Sequence, residues 1–242
     1  MKKTAGKYGF WLFLSVLAIA MSASVFLTPG RANWGLVTLA LVVVVLAAFY
    51  SRWERRGPSA REVALTAALG AVAAAGRVIF AALPQVQPTT FLVVAAGRVF
   101  GGRIGFLAGA TAALVSNFFL GQGPWTPWQM FCWGTAGYSA ALAAPVLERG
   151  GRPAVLAFLV GWGYLFGWIM NLWYWAAFVS PLNWKTFLLV YAASFGLDTC
   201  HAAGNAAFYL IGGSSVEKIF QRFAGRLSFE YLEYLPAKDA EG

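Results

Sequence analysis

Long stretches without a charged residue dominate this chain, and basic clusters or turn-forming residues separate them. Breaks such as Pro29-Gly30, Pro84 to Pro88 and Gly121 to Pro127 divide the apolar sequence into helix-sized segments. A membrane-spanning helix needs about 20 mostly apolar residues. The pattern therefore predicts a multi-pass α-helical membrane protein with eight candidate spans, at 10–28, 34–50, 62–83, 89–100, 104–121, 126–147, 154–179 and 184–212.

The fourth predicted span, 89–100, is too short to cross a bilayer alone. Two explanations fit its length. The helix either begins inside the preceding loop or is tilted into the bundle.

Composition supports the same class. The chain is 60% hydrophobic and 11% charged, whereas soluble domains carry roughly 25% charged residues. The net charge of +9 is therefore interpreted as a record of membrane orientation and not of nucleic-acid binding.

The distribution of Lys and Arg predicts the orientation. With both termini cytoplasmic, 15 of the 18 basic residues lie on the inside, Arg31 and Lys185 lie outside, and Arg77 lies within a span. This asymmetry satisfies the positive-inside rule. We therefore expect a multi-pass protein of the cell (plasma) membrane with both termini in the cytoplasm.

A basic, polar linker near 51–62 suggests a boundary between two membrane-embedded parts of the chain. The expected organisation is an N-terminal two-helix membrane appendage with its linker at 1–61, a six-helix substrate-binding body at 62–222, and a cytoplasmic C-terminal tail at 223–242. The first span also has an alternative interpretation, a signal peptide cleaved near Ala20 to Ala23.

The sequence lacks the motifs of several kinds of catalytic and metal-binding site. No GxxxxGK[ST] phosphate-binding loop occurs, so we expect no ATP hydrolysis by this chain alone. Cys132 and Cys200 have no CxxC or Cys/His spacing, which favours packing roles over a disulfide or a metal site. A single histidine does not supply a metal-ligand set or a catalytic triad. We therefore predict no catalytic residues, no metal and no enzyme activity.

Ionisable residues inside the predicted body are few. Arg77, Asp198 and His201 lie within apolar segments, and Asn205 continues the Asp198–His201 face of the last helix. Because an intramembrane charge costs roughly 2.5–3.5 kcal/mol on insertion scales, these residues are predicted to form one buried polar network. The network either contacts substrate or only pins the last helix to its neighbours.

Aromatic and amide side chains concentrate around the predicted outer loops. Eight of the 11 tryptophans fall between residues 125 and 184, which is typical either of a ligand pocket or of an interfacial belt. The loops near 84–88 and 121–128 carry no charge, so they suit a neutral or weakly charged molecule. The predicted substrate-binding residues are Gln85, Gln87, Asn117, Gln122, Trp125, Trp128, Gln129, Asn171 and Trp173.

Three segments carry a family resemblance: GRVIFAALPQVQPTTFLVVAAGRVFGGRIGFLAGA from 76, SNFFLGQGPWTPWQMFCWGTAG from 116 and SFGLDTCHAAGNAAFYLIGG from 194. Over about 62–222 the chain resembles the substrate-binding membrane subunits, or S components, of energy-coupling factor vitamin transporters. The resemblance implies an all-α membrane fold, namely a six-helix bundle. Here two extra transmembrane helices precede it, which departs from the family pattern.

The resemblance also implies function and partners. Such a protein binds a vitamin or related molecule from outside and docks on a transmembrane coupling subunit driven by two ATPase subunits. No covalently bound cofactor is expected, and ATP acts only through the partner subunits. The PWTPWQMF stretch is similar to cobalamin-type members, so cobalamin or cobinamide is the first choice of ligand. Other vitamins and pyrimidine or deazapurine precursors remain open.

Docking in this family uses small residues on the first helix of the body. The resemblance assigns that coupling interface here to Ala64, Ala67, Ala68 and Ala71. Small residues also permit close packing of helices in lipid generally.

Two functions of other classes stay open from the sequence. One is a structural or regulatory membrane module that binds no small molecule. The other is an intramembrane enzyme that uses Asp198 and His201.

Overall fold

The computed structural model describes residues 34–55 and 57–233, and no strand occurs among them. Four described helices are long and apolar enough to cross a membrane, which confirms the all-α membrane class. The first predicted span, 10–28, and residues 234–242 of the predicted tail lie outside the described residues. The six helices are α1 (Trp34–Glu54), α2 (Ala60–Ile79), α3 (Thr89–Phe100), α4 (Gly102–Leu120), α5 (Thr126–Phe178) and α6 (Trp184–Glu233).

Helix α5 contains two of the predicted spans. It bends at Gly151, whose φ of 61° and ψ of −154° are not helical. Glycine tolerates a positive φ because it has no Cβ, and Pro153 follows directly. The two arms, 126–150 and 152–178, therefore correspond to the spans predicted from the polar break at 148–153.

The start of α2 is fixed by a capping box. The Ser59 hydroxyl accepts a hydrogen bond from the Glu62 backbone N–H at 3.2 Å, and the Glu62 carboxylate accepts one from the Ser59 backbone N–H at 3.3 Å. This reciprocal arrangement satisfies two N–H groups that the first turn leaves free. The body therefore begins at Ala60, two residues before the predicted boundary.

Helix α3 has 12 residues, and its first turn is buried inside the bundle. Thr89 and Thr90, its first two residues, are 0% and 1% exposed. The Thr89 hydroxyl donates to the Ala73 carbonyl of α2. The helix begins at Thr89, so it does not start inside the preceding loop, which was one of the two explanations. The other explanation, a tilt into the bundle, stays a prediction.

Glycines allow α3, α4 and α5 to cross almost backbone to backbone. A methyl group at Gly97 would lie 1.9 Å from the Gly137 carbonyl oxygen, and one at Gly137 would lie 2.4 Å from the Gly105 carbonyl oxygen. A methyl group at Gly109 would lie 2.3 Å from the Trp133 carbonyl oxygen. Since real Cβ atoms do not approach other atoms so closely, this crossing depends on the absence of side chains.

Helix α1, from the predicted appendage, packs directly on the body. Val42 and Leu46 join a buried cluster with Trp128 and Trp173 of α5, and Phe49 stacks on Phe106 of α4 at 3.8 Å between ring centroids. The linker at 55–59 therefore separates α1 from α2 in sequence, while α1 remains in contact with the body.

Helix α6 is longer than predicted. Its 50 residues correspond to about 75 Å at 1.5 Å per residue, more than twice the thickness of a hydrocarbon core. It continues to Glu233, past both the predicted span at 184–212 and the predicted start of the tail at 223. An ion pair between Arg98 of α3 and Glu217 joins α6 to the bundle beyond the predicted span.

Candidate functional site

Polar side chains form a hydrogen-bonded chain that starts at the loop between α4 and α5. The exposed Gln122 accepts at Oε1 from the Thr126 hydroxyl at 2.9 Å. The Asn117 amide, 1% exposed, donates to the Thr126 hydroxyl at 2.9 Å and to Gln129 Oε1 at 2.8 Å. Three of the predicted substrate-binding residues therefore lie together: Asn117, Gln122 and Gln129.

Arg77 of α2 is the cationic centre of this group. Its Nη1 donates to Asn117 Oδ1 at 2.5 Å and to the Ser116 hydroxyl at 2.7 Å. The guanidinium carbon lies 4.9 Å from the centre of the Trp133 ring, within the range of a cation–π interaction. Arg77 is only 8% exposed, so it is held in the protein interior by neutral acceptors and an aromatic face.

The chain continues from Trp133 to the last helix. Trp133 Nε1 donates to the Thr90 hydroxyl at 3.0 Å, and that hydroxyl lies 2.8 Å from His201 Nε2. His201 is 4% exposed, and the Phe166 ring packs edge-on against it. Five helices of the body, α2 to α6, thus share one line of polar contacts from Gln122 to His201, which we call the polar chain.

Asp198 belongs to a different group. Its Oδ2 accepts from the Ser194 hydroxyl at 3.0 Å, and that hydroxyl accepts from the Asn171 amide at 2.5 Å. A methyl group at Gly167 would lie 1.9 Å from Asp198 Oδ1, so the carboxylate packs on the α5 backbone. No described contact joins Asp198 to Arg77.

The predicted single network is therefore divided. Arg77 and His201 share the polar chain, while Asp198 is 6% exposed and bonds to Ser194 on its own helix. Asn205 donates to the Leu159 carbonyl of α5 at 3.1 Å and belongs to neither group. The division arises because Asp198 faces Gly167 of α5, whereas His201, three residues later, faces α3.

Two clefts lie between the second arm of α5 and α6. One, of about 640 Å³, is apolar and includes Trp162, Trp168 and Phe195. The other, of about 470 Å³, is lined by polar groups of Asn171, Thr186 and Ser194 among apolar residues. Both volumes fall in the size range of small-molecule sites. Of the predicted substrate-binding residues, Asn171 lines the second cleft.

Of the three tryptophans predicted to contact the substrate, two are buried by helix packing and one is partly exposed. Trp128 is 6% exposed and Trp173 is 7% exposed, and both belong to the cluster packed against α1. Trp125 is 37% exposed and covers Gly123 in the loop. The burial of Trp128 and Trp173 follows from α1, whose position the sequence did not reveal.

The remaining predicted ligand contacts lie in the loop after α2. Gln85 is exposed and has a positive φ of 61°, and Gln87 is half-buried. Neither side chain contributes a described hydrogen bond to the polar chain.

We expect Trp128→Ala to destabilise the protein by about 3 kcal/mol, as is typical of truncating a buried tryptophan. The ring packs among α1, α4 and α5, so its removal leaves a cavity that these helices do not close. Thermal unfolding in detergent micelles measures the loss. Trp125→Ala, at a partly exposed position, serves as the control and is expected to change stability little. Equal effects of the two changes would contradict the described packing of Trp128.

The four alanines predicted as a coupling interface, Ala64, Ala67, Ala68 and Ala71, are all exposed. The opposite face of α2 is buried through residues such as Gly70 and Ala73. Val72 and Ile79 extend the exposed face with apolar surface, at 56% and 75% exposure. The small-residue face of α2 is therefore not used for packing within residues 34–55 and 57–233.

Sequence reasoning missed the hydroxyl groups that connect these residues. Thr90, Thr126 and Ser194 each link two other polar side chains. Ser116 accepts from Arg77 and donates to the backbone of its own helix. The adjacent pair Ser116-Asn117, inside the charge-free run 104–147, was an available signal for one of them. Single hydroxyls in apolar helices are otherwise common, because they can bond to the preceding turn.

The polar chain offers amides, hydroxyls and one guanidinium, a set suited to hydrogen-bonded recognition of a ligand. Within the described part of the chain, no group of three or more His, Cys, Asp or Glu residues is arranged to hold a metal ion. Comparison with known protein families, with curated proteins and with solved structures finds no match for this chain.

Proposed function

We propose that this protein binds a vitamin or related small molecule at the outer face of the cell membrane and delivers it inward with an ATP-driven coupling module. The observation that carries the proposal is the polar chain, which leads from the exposed Gln122 through Asn117 to the buried Arg77. A helical bundle that only needed to be stable would gain little from so many buried polar groups, because their desolvation offsets most of their bonding.

The exposed face of α2 supports the delivery step. Ala64 and Ala68 present almost no side chain, so a partner helix can approach closely, and packing drives helix association in lipid. We assign to this face the transmembrane coupling subunit, with two ATPase subunits supplying the energy. Both termini are taken to be cytoplasmic, as the distribution of Lys and Arg indicates.

Mass spectrometry of small molecules retained by the purified protein tests the binding step. The expected result is one vitamin-sized molecule, present in stoichiometric amount after mild detergent extraction and lost after denaturation. Failure to retain or bind any small molecule would favour the structural or regulatory alternative. Turnover of that molecule by the purified chain without ATP would favour the enzyme alternative.

For the docking step we expect Ala64→Leu combined with Ala68→Leu to abolish assembly with the coupling module. Two added isobutyl groups would hold the partner backbone away from α2. Affinity purification of the tagged protein from its native membranes, with quantification of the co-purifying ATPases, measures assembly. Uptake of the bound molecule should fall with assembly, while binding by the isolated protein stays unchanged.

A matched control exists on α6. Ala203 and Ala207 have the same spacing and are also exposed, so Ala203→Leu with Ala207→Leu adds the same volume at another surface. This control should leave assembly intact. Loss of ligand binding together with assembly in the α2 variant would contradict the proposal, because it would place the alanine face in internal packing.

A further inference from the structure

Arg77 is a buried cation, and no acidic side chain that the structure describes pairs with it. Both of its hydrogen bonds leave from Nη1 and end on neutral acceptors, Ser116 and Asn117. Its Nε is buried and has no hydrogen-bond partner. Among the described residues, no carboxylate lies within the 4.0 Å that defines an ion pair with this guanidinium.

The sequence offers little to supply the missing charge. Between Glu62 and Glu217 it contains two acidic residues, Glu148 and Asp198. Glu148 is exposed at the bend of α5. Asp198 accepts a hydrogen bond from Ser194 and packs on Gly167. An unpaired Arg within a membrane-spanning helix costs several kcal/mol. An anionic partner from outside the chain would therefore reduce the free-energy cost of burying Arg77.

We propose that the transported molecule carries a carboxylate and that this group pairs with Arg77. The inference rests on the proposed function and narrows its ligand class. The Trp133 ring covers one face of the guanidinium, and Nη1 is already used, which leaves Nε and Nη2 on one edge. Two parallel N–H groups on one edge match a carboxylate in the bidentate geometry that makes Arg–carboxylate contacts strong.

The surroundings favour a single carboxylate over a more highly charged group. The amides of Asn117 and Gln129 and the hydroxyl of Thr126 are the other polar groups at this end of the polar chain. The loop residues that lead outward, such as Gln122, are uncharged. One cation balances one carboxylate, whereas a phosphate would leave an uncompensated negative charge.

The test uses the full-length protein purified in dodecyl maltoside and titrated with matched pairs of probes. The carboxylate members are biotin, nicotinate, pantothenate and lipoate, and their neutral counterparts are biotinamide, nicotinamide, pantothenol and lipoamide. The variants are Arg77→Gln, which removes the charge, and Arg77→Lys, which keeps it. Arg103→Gln is the control, since Arg103 is a partly exposed residue with only a 3.7 Å contact to Glu62. Size-exclusion profiles identify variants that fold.

For one pair we expect the carboxylate member to bind at least about tenfold more tightly than its neutral counterpart, as one charge-assisted contact allows. Arg77→Gln should abolish this preference, Arg77→Lys should keep part of it, and Arg103→Gln should leave it intact. If Arg77→Gln does not fold, the comparison of Arg77→Lys with the wild type decides, because the single-point charge of Lys should bind the carboxylate more weakly while it keeps the preference.

Four results would overturn the inference. Preference for a neutral member would contradict the carboxylate assignment and leave the proposed function standing. Binding of no carboxylate probe would also contradict the carboxylate assignment. A preference that persists in Arg77→Gln would place the carboxylate elsewhere. Stabilisation that requires Arg77 and occurs only with added phosphatidylglycerol would assign the anion to a lipid headgroup. Retention of no small molecule at all would instead contradict the proposed function itself.

Discussion

Gly97→Ala should prevent this protein from reaching its native packing. The added methyl group would lie 1.9 Å from the Gly137 carbonyl oxygen and 2.7 Å from its carbonyl carbon. These are backbone atoms of a neighbouring helix, so no side chain can rotate away. We expect a loss of at least about 3 kcal/mol, the upper end of overpacking costs. The measurement is the yield of monodisperse protein together with its thermal unfolding midpoint in detergent.

Gly161→Ala is the matched control for this prediction. Gly161 is also a helical glycine, but a methyl group there would meet no atom within 4 Å. Alanine is the better helix former by about 1 kcal/mol, so this change should leave stability equal or higher. Similar destabilisation by both changes would show that the loss of a glycine in itself, and not the crossing of α3 and α5, determines the effect.

The positions of most helices follow from sequence punctuation. The bend of α5 at Gly151 and the start of α2 after Ser59 lie where polar and turn-forming residues interrupt apolar runs. These features are local, because a capping side chain or a positive φ involves only neighbouring residues. The end of α6 at Glu233 is a different case, since its sequence remains helix-compatible after the apolar segment ends.

The candidate site was predictable in part. Asn117, Gln122 and Gln129 were identified from their residue type and their position near one loop, and the structure brings them together with Arg77. Their roles in binding remain predictions. Sequence periodicity did not predict that Asp198 would be separated from this group, because that depends on which neighbour each turn of α6 faces.

Trp128 shows which kind of contact the sequence pattern does not predict. A tryptophan near an outer loop is equally compatible with a ligand pocket and with packing on another helix. Which of the two applies depends on α1, which is distant in sequence and places Val42 and Leu46 in the same buried cluster as the Trp128 ring. Contacts between segments so far apart are not encoded in local spacing, and apolar faces of similar composition can pair in several ways in lipid.

Asn117→Leu should damage both stability and ligand binding, because Asn117 holds three parts of the polar chain. Its carbonyl oxygen accepts from Arg77, and its amide donates to Thr126 and Gln129. Leucine of similar size would leave the buried guanidinium and two other polar groups short of a partner, each at a cost of about 1–3 kcal/mol. We expect a loss of about 3 kcal/mol or more and at least tenfold weaker retention of the bound molecule.

Asn205→Leu provides the comparison for that prediction. Asn205 is also fully buried, but it makes one described hydrogen bond, to the Leu159 carbonyl, and its own Oδ1 has no partner. Replacing it therefore leaves one carbonyl short of a donor and removes an oxygen that was already unsatisfied, so the expected loss is about 1 kcal/mol. Thermal unfolding and ligand retention are measured on both variants under the same conditions. If Asn205→Leu proved as damaging as Asn117→Leu in both measurements, burial of an amide alone would explain the effect, and the polar chain would have no special part in binding.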